Sequence, residues 1–267
     1  MFTSIWILNE KGGTGKTTVA AAFVDHLIAS GAGHRIIDAD TQPDRKAKSS
    51  LSAFFPTAER IDIGVAPDQL MAKPSLAVAH WDGLFELARS GNTLADFGAN
   101  VAESLVYWLD ESDIGSRLAK ADISLDLVIV TTAHPDAVGD ALSIVNRLRE
   151  ALPPGSRRLF VALNAAVGDF DSYADSAEMT AFADLVDAGE LTLVVVPKCG
   201  SEIWRDVERH RITPLAAAAM SAEDLANRLG TPELETIRGR KALAKWHKAV
   251  VDGFQEAGLL PADRASA

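Results

Sequence analysis

The sequence predicts an α/β protein: a mostly parallel central sheet with helices on both faces, and a helical C-terminal end. Three observations predict it. Apolar runs of strand length alternate with longer segments of helical period, the pattern of repeated βαβ units. The run Leu125 to Val130 is apolar nearly throughout, as expected of a central strand covered on both faces. Beyond Pro197 the chain reads as helices alone. With 267 residues, 48% of them hydrophobic and 24% charged, one domain over 1–260 is expected, followed by a flexible tail over 261–267.

Taken in order, Ser4 to Leu8 is the first strand, because the apolar start from Phe2 is too short for a membrane span and runs directly into a glycine loop. Thr17 to Ser30 follows as a helix, with apolar residues at Val19, Ala22, Phe23, Leu27 and Ile28, ended by Gly31 and Gly33. Arg35 to Ile37 is a short strand ending in Asp38-Ala-Asp40. From Thr41 to Gly91 the periodicity is weak, and the readings are a strand over Arg60 to Val65 and a helix over Trp81 to Arg89. Thr93 to Ala95 leads into Asp96-Phe-Gly-Ala99, and a helix covers Val101 to Leu109. After the central strand, a helix over Asp136 to Leu152 stops at Pro153-Pro154-Gly155, and a strand over Arg158 to Leu163 closes at Asn164. A helix over Ser176 to Ala188 then precedes the strand Leu191 to Val196. The C-terminal helices are Glu202 to His210, Ala222 to Leu229 and Pro232 to Ala257, and no internal repeat is present.

Composition narrows the function. A formal net charge of -11 argues against a surface basic all over, so nucleic-acid contact must be regional. The single cysteine, Cys199, leaves no intramolecular disulfide and fits a reducing, cytoplasmic setting. The six histidines are scattered without the spacing of zinc ligands, and no stretch has the length of a transmembrane helix.

The segment Lys11-Gly-Gly-Thr-Gly-Lys-Thr-Thr18 lies between the first strand and the first long helix. A glycine-rich turn there lets backbone N–H groups point into a concave space, to which the helix N-terminus adds its positive dipole, and phosphate is the natural occupant. Lys16 is placed to reach the β- and γ-phosphates of a nucleotide, and the Thr17 hydroxyl to coordinate Mg²⁺. Glu10 stands where the usual phosphate-loop pattern has its first glycine.

Asn9-Glu-Lys-Gly-Gly-Thr-Gly-Lys-Thr-Thr18 resembles the deviant Walker A loop of the ParA/MinD family of P-loop ATPases, whose second lysine sits at the position of Lys11. Asp38-Ala-Asp-Thr-Gln42 is similar to the family's Asp-x-Asp-x-Gln switch, and Asp96 to its Walker B carboxylate. Asn164 and Val196-Pro-Lys198 resemble its adenine-binding elements. The resemblance implies ATP and Mg²⁺ as cofactors, with contacts from Lys11, Gly12, Gly13, Thr14, Gly15, Lys16, Thr17, Thr18, Asn164, Pro197 and Lys198. It implies catalytic roles for Lys11, Lys16 and Asp40: Lys11 reaching the phosphates of a partner subunit, and Asp40 orienting the attacking water. Asp38 and Asp96 join Thr17 around the metal through its water shell. The implied function is an ATPase that forms a homodimer in its ATP state and acts with a regulatory protein as a positioning or partition switch for DNA or another cargo. Asp96-Phe-Gly-Ala-Asn100 departs from the Asp-x-Pro of partition ATPases and looks more like the Asp-x-Gly-Ala of TraL-like members associated with conjugation. The glycine loop begins almost at the first residue, so no helix-turn-helix precedes it and operator binding is not expected.

Other classes share the loop. The nitrogenase iron protein needs two cysteines per subunit, which excludes it. A synthetase or amidotransferase of the dethiobiotin type would use the same fold on a small substrate, and a conjugation-associated interaction module would use ATP only to set its dimer state.

In the last helix Arg238, Lys241, Lys245 and Lys248 recur at spacings of three and four, and so share one face. Leu243, Trp246, Val250 and Phe254 fall opposite, and no acidic residue interrupts Thr236 to Val251. The stripe reads either as an ordinary solvated face or as a surface for nonspecific contact with DNA phosphates. The stretch from Ala257 to Ala267 lacks a basic amphipathic anchor, which argues against membrane attachment.

Overall fold

A computed structural model describes residues 4–39, 50–61, 76–79 and 81–261. Seven strands form one sheet: β1 (Ser4–Leu8), β2 (Arg35–Ala39), β3 (Glu59–Arg60), β4 (Thr93–Phe97), β5 (Leu125–Thr132), β6 (Arg157–Asn164) and β7 (Thr192–Val196). They lie in the order β3-β2-β4-β1-β5-β6-β7, every pairing parallel. The helices are α1 (Lys16–Ala29), α2 (Leu51–Phe54), α3 (Leu76–Ala79), α4 (Asp82–Ser90), α5 (Ala102–Glu111), α6 (Ile114–Lys120), α7 (Pro135–Ala151), α8 (Ala177–Asp187), α9 (Trp204–Arg209), α10 (Pro214–Ala219), α11 (Ala222–Leu229) and α12 (Glu233–Glu256). The expected α/β class, parallel sheet and helical C-terminal end are therefore present. Of the strand expected over Arg60 to Val65, Arg60 lies in β3, which begins at Glu59 and pairs with Ile37 and Asp38, Ile61 falls outside it, and 62–65 lie outside the described residues.

The strands are sorted by their alternation. Trp6, Leu8, Ile37, Ala95, Phe97, Leu127, Ile129 and Val161 point to a core shared with α4 to α8. Ile5, Ile7, Leu94, Val128, Val130, Phe160, Val194 and Val196 point to the opposite core, shared with α1, α2 and α12. α1 is buried almost all round, from Val19 to Leu27, because it is enclosed by the sheet on one side and by α2, α10 and α12 on the others. Phe254 of α12 meets Phe23 of α1 edge-on at 4.6 Å between centroids. A third cluster joins α9 to α11 with Leu243 of α12, and there Gly239 is required: a Cβ on it would lie 2.5 Å from Ile203 Cγ1. Among the described residues no helix is long and apolar enough to cross a membrane.

The topology also opens a crevice. β1 sits between β4 and β5, and its following helix, α1, packs on one face, whereas α7, which follows β5, packs on the other. Neighbouring connections that diverge in this way leave a cleft over the carboxyl ends of the strands, where ligands of open α/β sheets bind.

Candidate functional site

The loop from β1 to α1 lies over this crevice. Asn9 fixes its start: the buried side chain donates from Nδ2 to Val130 O on β5 (2.5 Å) and accepts from Lys11 N at Oδ1 (3.3 Å). Gly13 and Gly15 have φ of 80° and 92°, the left-handed region that glycine enters at no steric cost. At Gly15 a side chain would also collide with the carboxamide of Asn164. Gly15 is the N-cap of α1 and supplies no side-chain cap to its first turn, which leaves an anion-binding helix start. Thr14 is buried, and among the described residues its hydroxyl meets no hydrogen-bond partner. Gly12 is exposed on the loop, and Ala99 lies 3.7 Å from where its Cβ would be.

Two cations and two carboxylates surround the loop. Lys16 is only 7% exposed and its ammonium donates to Lys11 O (3.0 Å), so the side chain curls back over the loop. The Thr17 hydroxyl donates to Asp96 Oδ2 (2.7 Å). Asp96 and Asp38 are partners in register on β4 and β2, with 4% and 3% exposure. In register on parallel strands they share the α1 face, at positions where the alternation calls for apolar residues. The Asp38 carboxylate accepts from Ser52 N (2.9 Å) and thereby holds the start of α2. Among the described residues no third His, Cys, Asp or Glu joins them as a possible metal ligand. Two carboxylates and a hydroxyl fit Mg²⁺, which keeps several waters and takes one or two carboxylates.

Lys11 turns away from the crevice toward Asp136 in the first turn of α7, Nζ to Oδ2 3.8 Å, with 40% and 75% side-chain exposure. Asn164 ends β6 on the α1 face; its Nδ2 donates to Thr14 O (2.9 Å) and its Oδ1 accepts from Ala166 N (3.1 Å). Register with Val196 puts it beside Pro197, whose carbonyl accepts from Trp246 Nε1 (2.7 Å), and Lys198 follows, exposed. Thr18 lines a shallow apolar cleft, open to solvent, with Ala21, Phe54, Trp204 and Val207. Asp40 lies outside the described residues. All the other sequence-predicted phosphate, metal and adenine residues gather at the carboxyl end of the sheet.

Arg238, Lys241, Lys245 and Lys248 are all exposed on α12. The two ends of the stripe are engaged, Arg238 with Glu202 (3.5 Å) and Lys248 with Asp252 (2.7 Å). Lys241 and Lys245 have no ion pair among the described residues. Asn9 and Glu10 carry contacts that the sequence did not assign; the signal available was a polar pair ending an apolar strand.

The profile of the CobQ/CobB/MinD/ParA nucleotide-binding domain matches residues 5–210. No curated protein matches the chain. Among solved structures, the chain aligns with MinD of Aquifex aeolicus at 17% identity, covering 85% of this chain and 95% of that one, TM-score 0.45. The cell division ATPase MinD of Pyrococcus furiosus aligns at 19% identity over 94% and 99%, TM-score 0.44. McdA of Cyanothece, in a complex with ATP, aligns at 15% identity over 94% and 96%, TM-score 0.37.

Proposed function

Because the chain belongs to the CobQ/CobB/MinD/ParA nucleotide-binding domain family, we propose that it binds ATP with Mg²⁺ at residues 11–18 and hydrolyses it, and that the ATP state pairs two copies into a homodimer. The observation that carries this reading is the loop of Gly13 and Gly15 opening into an uncapped helix start, with Lys16 over it and Thr17 hydrogen-bonded to Asp96. Backbone amides and the Lys16 ammonium bind the phosphates, at the cost of the Lys16 contact to Lys11 O. Thr17, Asp38 and Asp96 hold the metal, directly or through its waters; when bound, Mg²⁺ neutralises charge developing on the phosphates. Asp40 orients the attacking water, by resemblance. Asn164, Pro197 and Lys198 receive the base. Lys11 leaves Asp136 to meet the phosphates of the second copy. The exposed Lys241 and Lys245 support DNA phosphates as one contact of the dimer, and a regulatory protein as its second partner follows from the resemblance alone.

Titration with a fluorescent ATP analogue tests the reading, alongside phosphate release and sedimentation with ATP and with ADP. Wild type is expected to bind, turn over and sediment as a dimer only with ATP, and Lys16→Ala to lose at least tenfold in affinity, since it deletes a charge-assisted contact of about 1.5–3 kcal/mol. Equal affinity of the two proteins would remove Lys16, and with it the phosphate site, from the reading.

A further inference from the structure

Glu10 stands at the start of the phosphate loop, and both its backbone and its side chain reach across to the segment that follows β4. Its carbonyl accepts from Asn100 N (2.9 Å), and its Oε2 accepts from Glu103 N (3.2 Å) in the first turn of α5. Between these bonds Gly12 lies against Ala99. Asn100 has φ of 61°, a left-handed turn that asparagine tolerates, and its N–H is the one that the Glu10 carbonyl accepts. Glu103 continues the connection through Oε1 to Arg147 Nη1 on α7 (3.3 Å), and the first turn of α7 carries Asp136, the partner of Lys11. Two adjacent loop residues are thus tied to two helices on the far face of the sheet, Glu10 to α5 and Lys11 to α7, and those helices are tied to each other.

The two ties differ in kind. Lys11 and Asp136 are 3.8 Å apart and exposed, an ion pair of little worth. Glu10 offers a carboxylate to a backbone N–H at a helix start, where charge and dipole act together. Asp96 is already held to the loop at the near end of the same segment by Thr17. Glu10 holds the far end.

We propose that Glu10 is a positioning residue, which keeps residues 98–103, and through them Asp96, in register with the phosphate loop once Lys11 has left Asp136. The proposal rests on the nucleotide reading of this site. In the nucleotide reading affinity comes from the loop amides and Lys16, whereas the Glu10 carboxylate is bonded to Glu103 N; the geometry around Asp96 acts on turnover. Loss of the Glu10 carboxylate therefore separates the two. Glutamine keeps an acceptor oxygen for Glu103 N and is the conservative control.

The test compares the full chain with its Glu10→Ala and Glu10→Gln variants in ATP affinity, ATP turnover and amide hydrogen exchange at Asn100 to Glu103. For Glu10→Ala the expected result is affinity within about twofold of wild type, kcat lower by roughly tenfold or more, and faster exchange over those amides. Glu10→Gln is expected to restore most of both losses. A merely structural contact would change exchange without splitting kcat from affinity. Turnover of Glu10→Ala equal to wild type overturns the proposal, as does a glutamine variant no better than alanine. If the wild type itself neither binds nor hydrolyses ATP, the nucleotide reading fails and the proposal with it, an outcome that the wild-type measurement separates from a failure of Glu10 alone.

Discussion

Asp96 accepts a short hydrogen bond from the phosphate loop, in which the Thr17 hydroxyl is the donor at 2.7 Å. A neutral amide can keep that bond through its own oxygen but cannot supply the negative charge that faces the crevice. Asp96→Asn should therefore fold as wild type and require about tenfold more Mg²⁺ for half-maximal ATP turnover, in the range found when groups behind a metal's ligands are altered. A metal titration of turnover decides it; superimposable curves would take Asp96 away from the metal. Gly15→Ala tests the loop in the opposite way. Its φ of 92° and the Asn164 carboxamide in the path of a Cβ both resist the methyl group. The left-handed backbone alone costs about 1–2 kcal/mol, and displacement of Asn164 breaks its bond to Thr14 O. A fall in urea midpoint together with lost nucleotide binding is expected, and an unchanged midpoint would contradict the geometry. At this scale the sequence was legible where spacing itself encodes chemistry, as in Lys16 and Thr17. Asn9 and Glu10 were not, because their partners Val130, Asn100 and Glu103 lie about ninety or more residues away and no local pattern announces them.

Among the elements, α1 is held by more than its apolar face. Its Asp25 side chain is buried against α10, where Oδ1 accepts from the Thr213 hydroxyl (2.9 Å) and Oδ2 from Leu215 N (3.3 Å), while Thr213 in turn accepts from Ala216 N (3.2 Å). Burial pushes the Asp25 carboxyl up to about 6, and the hydrogen bonds from Thr213 and Leu215 only partly oppose it. Between pH 4 and 6 the folded chain thus keeps a proton that the unfolded chain has released, so stability falls as pH rises through that window and the whole cost is present above pH 6. Against the ordinary value of 3.8 this corresponds to about 3 kcal/mol. Asp25→Asn keeps an acceptor for Thr213 and carries no charge. The stability of the variant relative to wild type, from urea midpoints, should climb from pH 4 to pH 6 and then level; parallel profiles would show that Asp25 does not titrate there. α10 itself was not foreseen, nor were α2, α3 and α6. Each has seven residues or fewer, under two turns, and cannot display a helical period. At the start of α2 stands a distant group, the Asp38 carboxylate, whereas α10 has a local cap in Thr213 with Pro214 after it, to which Asp25 adds a distant contact.

For the whole molecule, the two faces of the sheet divide the work. The face that carries α5 and α7 meets the phosphate loop at Glu10 and Lys11, and the opposite face joins the base candidates to the basic stripe, because Trp246 of α12 donates to Pro197 O and packs on Trp204 at 5.1 Å. The stripe was legible as a periodicity, and its buried side is the one expected, Leu243, Trp246, Val250 and Phe254. The pairing of its ends was not, since Glu202 belongs to another part of the chain and Asp252 follows the basic run. That pairing makes the DNA proposal quantitative. If the acids keep Arg238 and Lys248, Lys241 and Lys245 of each copy are left to meet phosphates. Two copies would then neutralise four phosphates, and the logarithm of the binding constant should fall with the logarithm of salt at a slope of about -3.6, half of what all eight cations of the paired stripes would give. In the ATP state Lys241→Glu, Lys245→Glu is expected to abolish binding, whereas Arg238→Ala should leave the slope nearly unchanged. Titrations of nonspecific duplex DNA at several salt concentrations read both effects. A slope near -7 would show that the acid-paired residues also bind, equal binding by the double variant would remove α12 as the contact surface, and no binding by wild type would remove DNA as the partner.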